Sequence, residues 1–156
     1  MIKSTPRLFC FGLGFSAQTL ASRLKSQGWQ VAGTTRTSAR AKALADRGYE
    51  AFVFGPEAAA GLRAATHILI STPPEASGDP VLAIHATDLA AARPAWLGYL
   101  STTGVYGDHA GGWVDEQTPP APQSERAQRR LAAEQAWSAW GRAAAKHPCC
   151  AHISSG

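Results

Sequence analysis

The feature that most constrains this chain is a glycine-punctuated junction near its start. Arg7-Leu8-Phe9-Cys10-Phe11 is a short apolar run, and it breaks at Gly12-Leu13-Gly14-Phe15-Ser16-Ala17. From Phe15 to Gln27 the residues Ala17, Leu20, Ala21 and Leu24 recur at helical spacing, so the junction reads as strand, tight turn, helix. Gly12 permits the sharp turn, Gly14 keeps a side chain out of the way of a ligand approaching the backbone, and Ala17 lets the helix lie close to a sheet. The amides that open such a helix lack acceptors and carry partial positive charge, which makes Phe15, Ser16 and Ala17 candidate donors to a pyrophosphate. Gly-x-Gly-x-x-Ala alone is common by chance. Its weight comes from its setting, directly after a strand, at a helix start, and leading into a second strand about 20 residues later.

The rest of the chain continues the alternation. Gly28 closes the first helix and Trp29 to Thr34 starts a second strand; Ser38 to Arg47 reads as a helix closed by Gly48, and Ala51 to Phe54 as a strand. A short helix over Glu57 to Ala65 and a buried-type strand over His67 to Ser71 follow. Asp79-Pro80 pairs an N-cap with proline at the first helical position, opening a helix to about Ala92 that Pro94 stops. Trp96 to Ser101 is the next strand, Thr102 to Pro122 a Gly- and Pro-rich loop, and Ser124 to Ala145 a long helix. Helices that return the chain between short apolar runs demand a parallel sheet. The expected fold is therefore α/β, a doubly wound parallel sheet of five strands and the beginning of a sixth, in one domain over the 156 residues.

Composition narrows the function classes. With 45% hydrophobic and 17% charged residues the chain can bury a core, and its formal charge of +4 is scattered among acidic residues as on a solvated surface. No aromatic-basic interleaving or zinc-finger spacing points to nucleic acid. Met1 to Arg7 holds no apolar stretch of signal-peptide length, and no apolar run approaches the roughly 20 residues of a membrane span, so no membrane partner is expected. Cys10 lies inside an apolar run, and the adjacent Cys149-Cys150 pair makes no disulfide framework, which suits a reducing compartment and a cytoplasmic location. Cys149, Cys150 and His152 lack a second ligand cluster, so no metal is expected.

The end of the second strand selects among dinucleotides. An acidic residue there would accept bonds from the adenosine ribose and repel an added phosphate, but the sequence reads Gly33-Thr34-Thr35-Arg36-Thr37-Ser38-Ala39-Arg40. Arg36 with Thr35, Thr37 or Ser38, joined by Arg40, offers charge-assisted bonds to a 2′-phosphate, favouring NADP over NAD. The plainer reading is that both arginines are surface positions of the next helix. Ser71 and Thr72, at the end of the fourth strand, are further candidate cofactor contacts.

Around the fifth strand the chain runs Leu100-Ser101-Thr102-Thr103-Gly104-Val105-Tyr106-Gly107-Asp108, then Trp113-Val114-Asp115-Glu116, Pro119, and Arg130-Leu131-Ala132-Ala133-Glu134. Together with the glycine turn, this resembles the extended short-chain dehydrogenases/reductases, the group of nucleotide-sugar epimerases and dehydratases, over the first half or so of a family member. The resemblance implies a Rossmann fold, a nicotinamide cofactor and a nucleotide-sugar or other small-molecule substrate above the carboxyl ends of the strands. It also implies a Ser or Thr that orients the substrate, a Tyr acting as acid-base, and a Lys four residues after that Tyr which lowers its pKa and holds the nicotinamide ribose. Thr102 matches the hydroxyl position, with Ser101 beside it. The Tyr and Lys positions, counted back from Leu131-Ala132-Ala133-Glu134, are Arg126 and Arg130. An arginine stays protonated at any working pH and cannot take a proton from an alcohol, so the family's usual step does not transfer. The chain then resembles the atypical members that lack the tyrosine. Tyr106 is left as a substitute acid or a wall of the substrate pocket, His109 as a weaker proton-transfer candidate, and Arg126 and Arg130 as a clamp for an anionic substrate or cofactor phosphate, or as plain solvated positions. The functional expectation is an NADP(H)-binding, epimerase/dehydratase-like oxidoreductase impaired in catalysis; the alternatives are a non-catalytic NADP-responsive protein and a non-functional fragment.

The last residues depart from the family pattern. His147-Pro148-Cys149-Cys150-Ala151-His152-Ile153-Ser154-Ser155-Gly156 does not have the composition of a buried strand. Back-translated and read one nucleotide later, its permitted codons include Ile-Pro-Ala-Ala-His-Ile-Phe-Arg-Leu-Ala, similar to the family's next strand and its Arg-Leu segment. The expectation is an aberrant or frameshifted tail over 146–156 and a missing C-terminal substrate region.

Overall fold

In the computed structural model, residues 5–144 and the strand backbone of 150–155 are described. Six parallel strands form one sheet in the order β3-β2-β1-β4-β5-β6. They are β1 (Arg7–Phe11), β2 (Gln30–Thr35), β3 (Glu50–Val53), β4 (His67–Ile70), β5 (Trp96–Thr102) and β6 (Cys150–Ser155). The helices are α1 (Phe15–Ser26), α2 (Ser38–Ala45), α3 (Ala59–Leu62), α4 (Pro80–Ala92) and α5 (Glu125–Ala143). The expected α/β doubly wound sheet is present. Its strand order reverses between β1 and β4, and such a reversal leaves a crevice outside the carboxyl ends of the strands.

Alternation along β1 explains the two faces. Phe9 and Phe11 point to one side, where Ile68, Ile70, Leu97 and Tyr99 meet Val81 and Leu89 of α4 and Trp137 of α5. Leu8 and Cys10 point to the other, where Leu69 and Val31 meet Ala17 and Ala21 of α1 and Leu44 of α2. Burial drives the Cys10 thiol up to about 12, so it is an apolar filler with no thiolate chemistry. Asp79 caps α4 by accepting from the Val81 and Leu82 amides, at 2.9 and 3.1 Å, and its other oxygen accepts from Trp137 Nε1 at 2.9 Å. One side chain thus starts α4 and ties it to α5.

Several boundaries differ from the sequence reading. The helix expected to Arg47 ends at Ala45, and the third strand covers Glu50–Val53 and leaves Phe54 outside. This strand lies at the sheet edge, where pairing with β2 alone, up to Thr35 opposite Val53, fixes its length. The helix expected over Glu57 to Ala65 is a 3-10 turn at Pro56–Ala58 followed by the single turn of α3. Gly61 sits within it, and a Cβ there would come within 2.6 Å of the Phe9 and Phe52 rings, so close packing dictates this segment more than helical periodicity does. The loop after β5 begins with a 3-10 turn over Thr103–Tyr106. The sixth strand, of which the sequence suggested only the beginning, is present: Cys150–Ser155 forms β6, in parallel register with β5 from Leu97 opposite Cys150 to Thr102 opposite Ser155. Backbone pairing along one neighbour is open to nearly any sequence, and composition excluded only a strand buried on both faces. Among the described residues no helix is long and apolar enough to cross a membrane.

Candidate functional site

A cleft of about 730 Å³ opens over the carboxyl ends of β1, β2 and β4. It brings together Gly12 and Gly14 from the turn, Thr35, Arg36, Thr37 and Arg40 from the β2–α2 junction, and Ser71 and Thr72 from the end of β4. Phe15 and Ser16, exposed at the start of α1, and the buried Ala17 follow directly on this turn but are not among the residues that line the cleft.

The turn is built by bonds among its own residues. Gly12 has φ +88°, which strains any other residue, and a Cβ on it would be crowded, 3.3 Å from Ser71 backbone and from the Thr72 hydroxyl. Thr34 Oγ1 accepts from the Gly12 amide at 2.9 Å, and Leu13 N and Gly14 N donate to Thr34 O and Gly12 O, each at 2.8 Å. These three amides are therefore spent on the turn. The first helical bond is Gln18 N to Gly14 O at 2.9 Å, which leaves the Phe15, Ser16 and Ala17 amides without intrahelical acceptors. Gly14 caps the helix without a side chain, and open space lies where its Cβ would be. Thr72 Oγ1, against Gly12, is buried with no hydrogen-bond partner among the described residues. Open amides, an uncapped helix end and an orphan hydroxyl at one spot fit an anionic group.

At the β2 end the basic side chains stand free. Arg36 and Arg40 are exposed, and among the described residues neither guanidinium has an ion-pair or hydrogen-bond partner. Thr37 caps α2 by accepting from Arg40 N at 3.3 Å, which still leaves its hydroxyl proton to donate. Sequence reasoning missed Leu13, Thr34, Phe54, Pro73, Pro74, Glu75 and Pro80, which complete the cleft. Thr34 carried no local signal, because its bond to Gly12 spans 22 residues. Phe54 was hidden by its assignment to a strand. Among the described residues no group of three or more His, Cys, Asp or Glu is placed to hold a metal. The Cys149, Cys150 and His152 side chains lie outside the described residues.

No family model and no curated protein matches the chain. Solved structures do match it. A conserved protein of unknown function from Silicibacter pomeroyi is 40% identical with a TM-score of 0.79, over 96% of this chain and 51% of that one. UDP-N-acetylglucosamine 4-epimerase from Bacillus cereus is 18% identical with a TM-score of 0.68, over 97% of this chain and 52% of that one. A short-chain dehydrogenase/reductase superfamily protein from Agrobacterium tumefaciens, with bound NAD, gives 16% identity and a TM-score of 0.68 over 95% of this chain and 48% of that one. The fold is that of the short-chain dehydrogenases/reductases of the epimerase/dehydratase group. The chain spans about half the length of the structures it matches.

The second candidate group of this dehydrogenase/reductase fold lies at β5 and α5, outside the cleft. Thr102 Oγ1 accepts from Gly104 N at 3.3 Å, and Tyr106 is half-buried at the end of the following turn. Desolvation raises the Tyr106 pKa, and the carboxylates of Glu134, Glu116 and Asp115 raise it further, so it is a neutral phenol at physiological pH. His109 is exposed, with Nε2 3.0 Å from the Tyr106 carbonyl. Arg126 is exposed on the first turn of α5. Arg130 turns inward: its Nη1 donates to Tyr99 OH and to Leu100 O, both at 3.0 Å, and its guanidinium lies 5.5 Å from the Tyr99 ring centre. One turn on, Glu134 accepts from the buried Ser101 hydroxyl.

Proposed function

We propose that this chain is an NADP(H)-binding domain of the epimerase/dehydratase-like oxidoreductases, with the glycine turn and the first amides of α1 receiving the pyrophosphate and Arg36 and Arg40 receiving the adenosine 2′-phosphate. The observation that carries this reading is the pair of guanidiniums, unpartnered among the described residues, in a cleft that has no acidic residue at the β2 end. Thr35, Thr37, Ser71 and the orphan Thr72 hydroxyl supply neutral donors around them. A nicotinamide dinucleotide, when bound, supplies hydride transfer. The test is a titration with NADPH and NADH by calorimetry, for the native chain and Arg36→Ala. NADPH is expected to bind more tightly, and the variant to lose that preference; equal affinity of the native chain for both cofactors would sink the assignment.

For chemistry, the residues present provide an orienting hydroxyl at Thr102 and a neutral phenol at Tyr106, beside a small-molecule substrate of the nucleotide-sugar type. They provide no tyrosinate on α5, because Arg126 and Arg130 stay cationic. Turnover by the usual acid-base step is accordingly impaired. One observation favours a second reading, an NADP-responsive binding protein without chemistry: the Arg130 guanidinium is engaged by Tyr99 and Leu100 and is not among the groups that line the cleft. Assay of hydride transfer on nucleotide sugars and simple carbonyls separates the two, since the second reading predicts cofactor binding with no turnover.

A further inference from the structure

The cleft is basic on one side of the glycine turn and carries a single acid on the other. Arg36 and Arg40 follow β2, and Glu75 follows β4, with β1 and its turn between them. Among the described residues that line the cleft, Glu75 is the only acidic one. Its carboxylate has no hydrogen-bond or ion-pair partner among the described residues. Two free guanidiniums in the same cleft do not reach it, so the acid does not serve to neutralise them.

The backbone that delivers Glu75 is unusually constrained for a loop. Pro73 and Pro74 precede it with fixed φ. Glu75 N donates to Gly78 O at 2.9 Å and Gly78 N donates back to Glu75 O at 3.2 Å, closing a minimal antiparallel bridge. Asp79, buried and held by Trp137 Nε1, anchors the other end, followed by Pro80 at the start of α4. A carboxylate held out on such a loop loses little conformational freedom when it meets a ligand.

We propose that Glu75 is a specificity-determining residue that accepts hydrogen bonds from the vicinal hydroxyls of the second nucleoside, the one lying on the β4 side when the 2′-phosphorylated nucleoside lies on the β2 side. This rests on the dinucleotide reading above. A carboxylate has the lone pairs to accept both hydroxyls of a ribose at once, whereas it repels phosphate. The cleft is thereby matched to a ligand that is strongly anionic at one end and a neutral diol at the other, and is mismatched to a nucleoside polyphosphate of equal size.

The experiment is calorimetric titration of the native chain, Glu75→Gln and Glu75→Ala with two probes: NADPH, and adenosine 2′,5′-bisphosphate, which lacks the second nucleoside. Glu75→Ala is expected to weaken NADPH roughly tenfold and Glu75→Gln by less, while the bisphosphate binds all three alike within about twofold. Thermal melts of the variants establish that the exposed substitution leaves the fold intact. If NADPH and the bisphosphate are affected equally, or both bind more tightly, Glu75 is a general electrostatic neighbour and the proposal is overturned. If NADPH is indifferent to both substitutions, the proposal is overturned while the dinucleotide reading stands. If the native chain binds neither probe, both fall together.

Discussion

The ends of β1, β2 and β4 and the end of β5 lie in the same sheet, yet they treat their cations in opposite ways. On the first side Arg36 and Arg40 are exposed and, among the described residues, unpartnered, and three helix amides stand without intrahelical acceptors. On the second, Arg130 is bonded to Tyr99 and Leu100, Glu134 takes the Ser101 proton donor, and Trp137 donates to Asp79. Groups left open are able to bind something from solvent, whereas groups already satisfied hold helix to sheet. Position in the family's pattern would have cast Arg130 as a ligand contact. Its hydrogen bonds make it a brace.

That contrast predicts effects that separate cleanly. Removing both free cations, Arg36→Ala with Arg40→Ala, is expected to weaken NADPH on the order of a hundredfold with no loss of thermal stability, since each lost charge-assisted bond concerns the ligand alone. A melting temperature that falls with affinity would show that these arginines hold the fold and would break the contrast. Arg130→Ala should do the reverse. It leaves the buried Tyr99 hydroxyl and the Leu100 carbonyl without their donor, which costs about 1–3 kcal/mol in chemical denaturation, with NADPH affinity unchanged.

Gly14→Ala sharpens the boundary of the open side. Nothing lies within 4 Å of the added Cβ and the residue's φ of −80° is ordinary, so stability should hold while NADPH binding weakens about tenfold, by obstruction of the helix amides. Undiminished binding would mean that no phosphate approaches that amide face. A further effect, confined to alkaline pH, concerns Tyr99, whose pKa is driven up to about 12, chiefly by burial and against the opposing influence of Arg130. The folded state holds this proton more tightly than the unfolded chain, whose tyrosine titrates near 10. Stability from the protonated phenol is therefore complete below pH 10 and is lost as pH rises toward 12. Comparing denaturation of the native chain and Tyr99→Phe across that window should show a shallower decline in the variant; identical slopes would place the phenol outside the brace.

Much of this was legible in the sequence where a local rule decided the outcome. The Gly12 turn, the glycines that end α1 and α2, and the Asp79-Pro80 start of α4 each depend on the backbone freedom or capping chemistry of residues close in sequence. Most of the cleft's basic and glycine residues were legible for the same reason, as they belong to two strand-to-helix junctions. Phe54 and Glu75 were not. Phe54 became a cleft residue because β3 stops where its pairing with β2 stops, and Glu75 because a loop after β4 folds back beside a turn more than 60 positions earlier. The α5 readings were ambiguous between clamp and solvated helix, since periodicity does not say whether an arginine reaches under a strand or out to water.

What the sequence determined by itself was the strand-turn-helix junction with its glycines, the absence of an acid after the second strand, and the presence of arginine where the resemblance implies an acid-base tyrosine and its lysine partner. These follow from residue identity and spacing of a few positions, and the chemistry of glycine, arginine and helix ends needs nothing further. Only the tertiary structure decided which cations remain open. Whether a guanidinium is free or spent depends on the carbonyls, hydroxyls and carboxylates that other elements bring within about 3 Å, and those partners come from across the sheet.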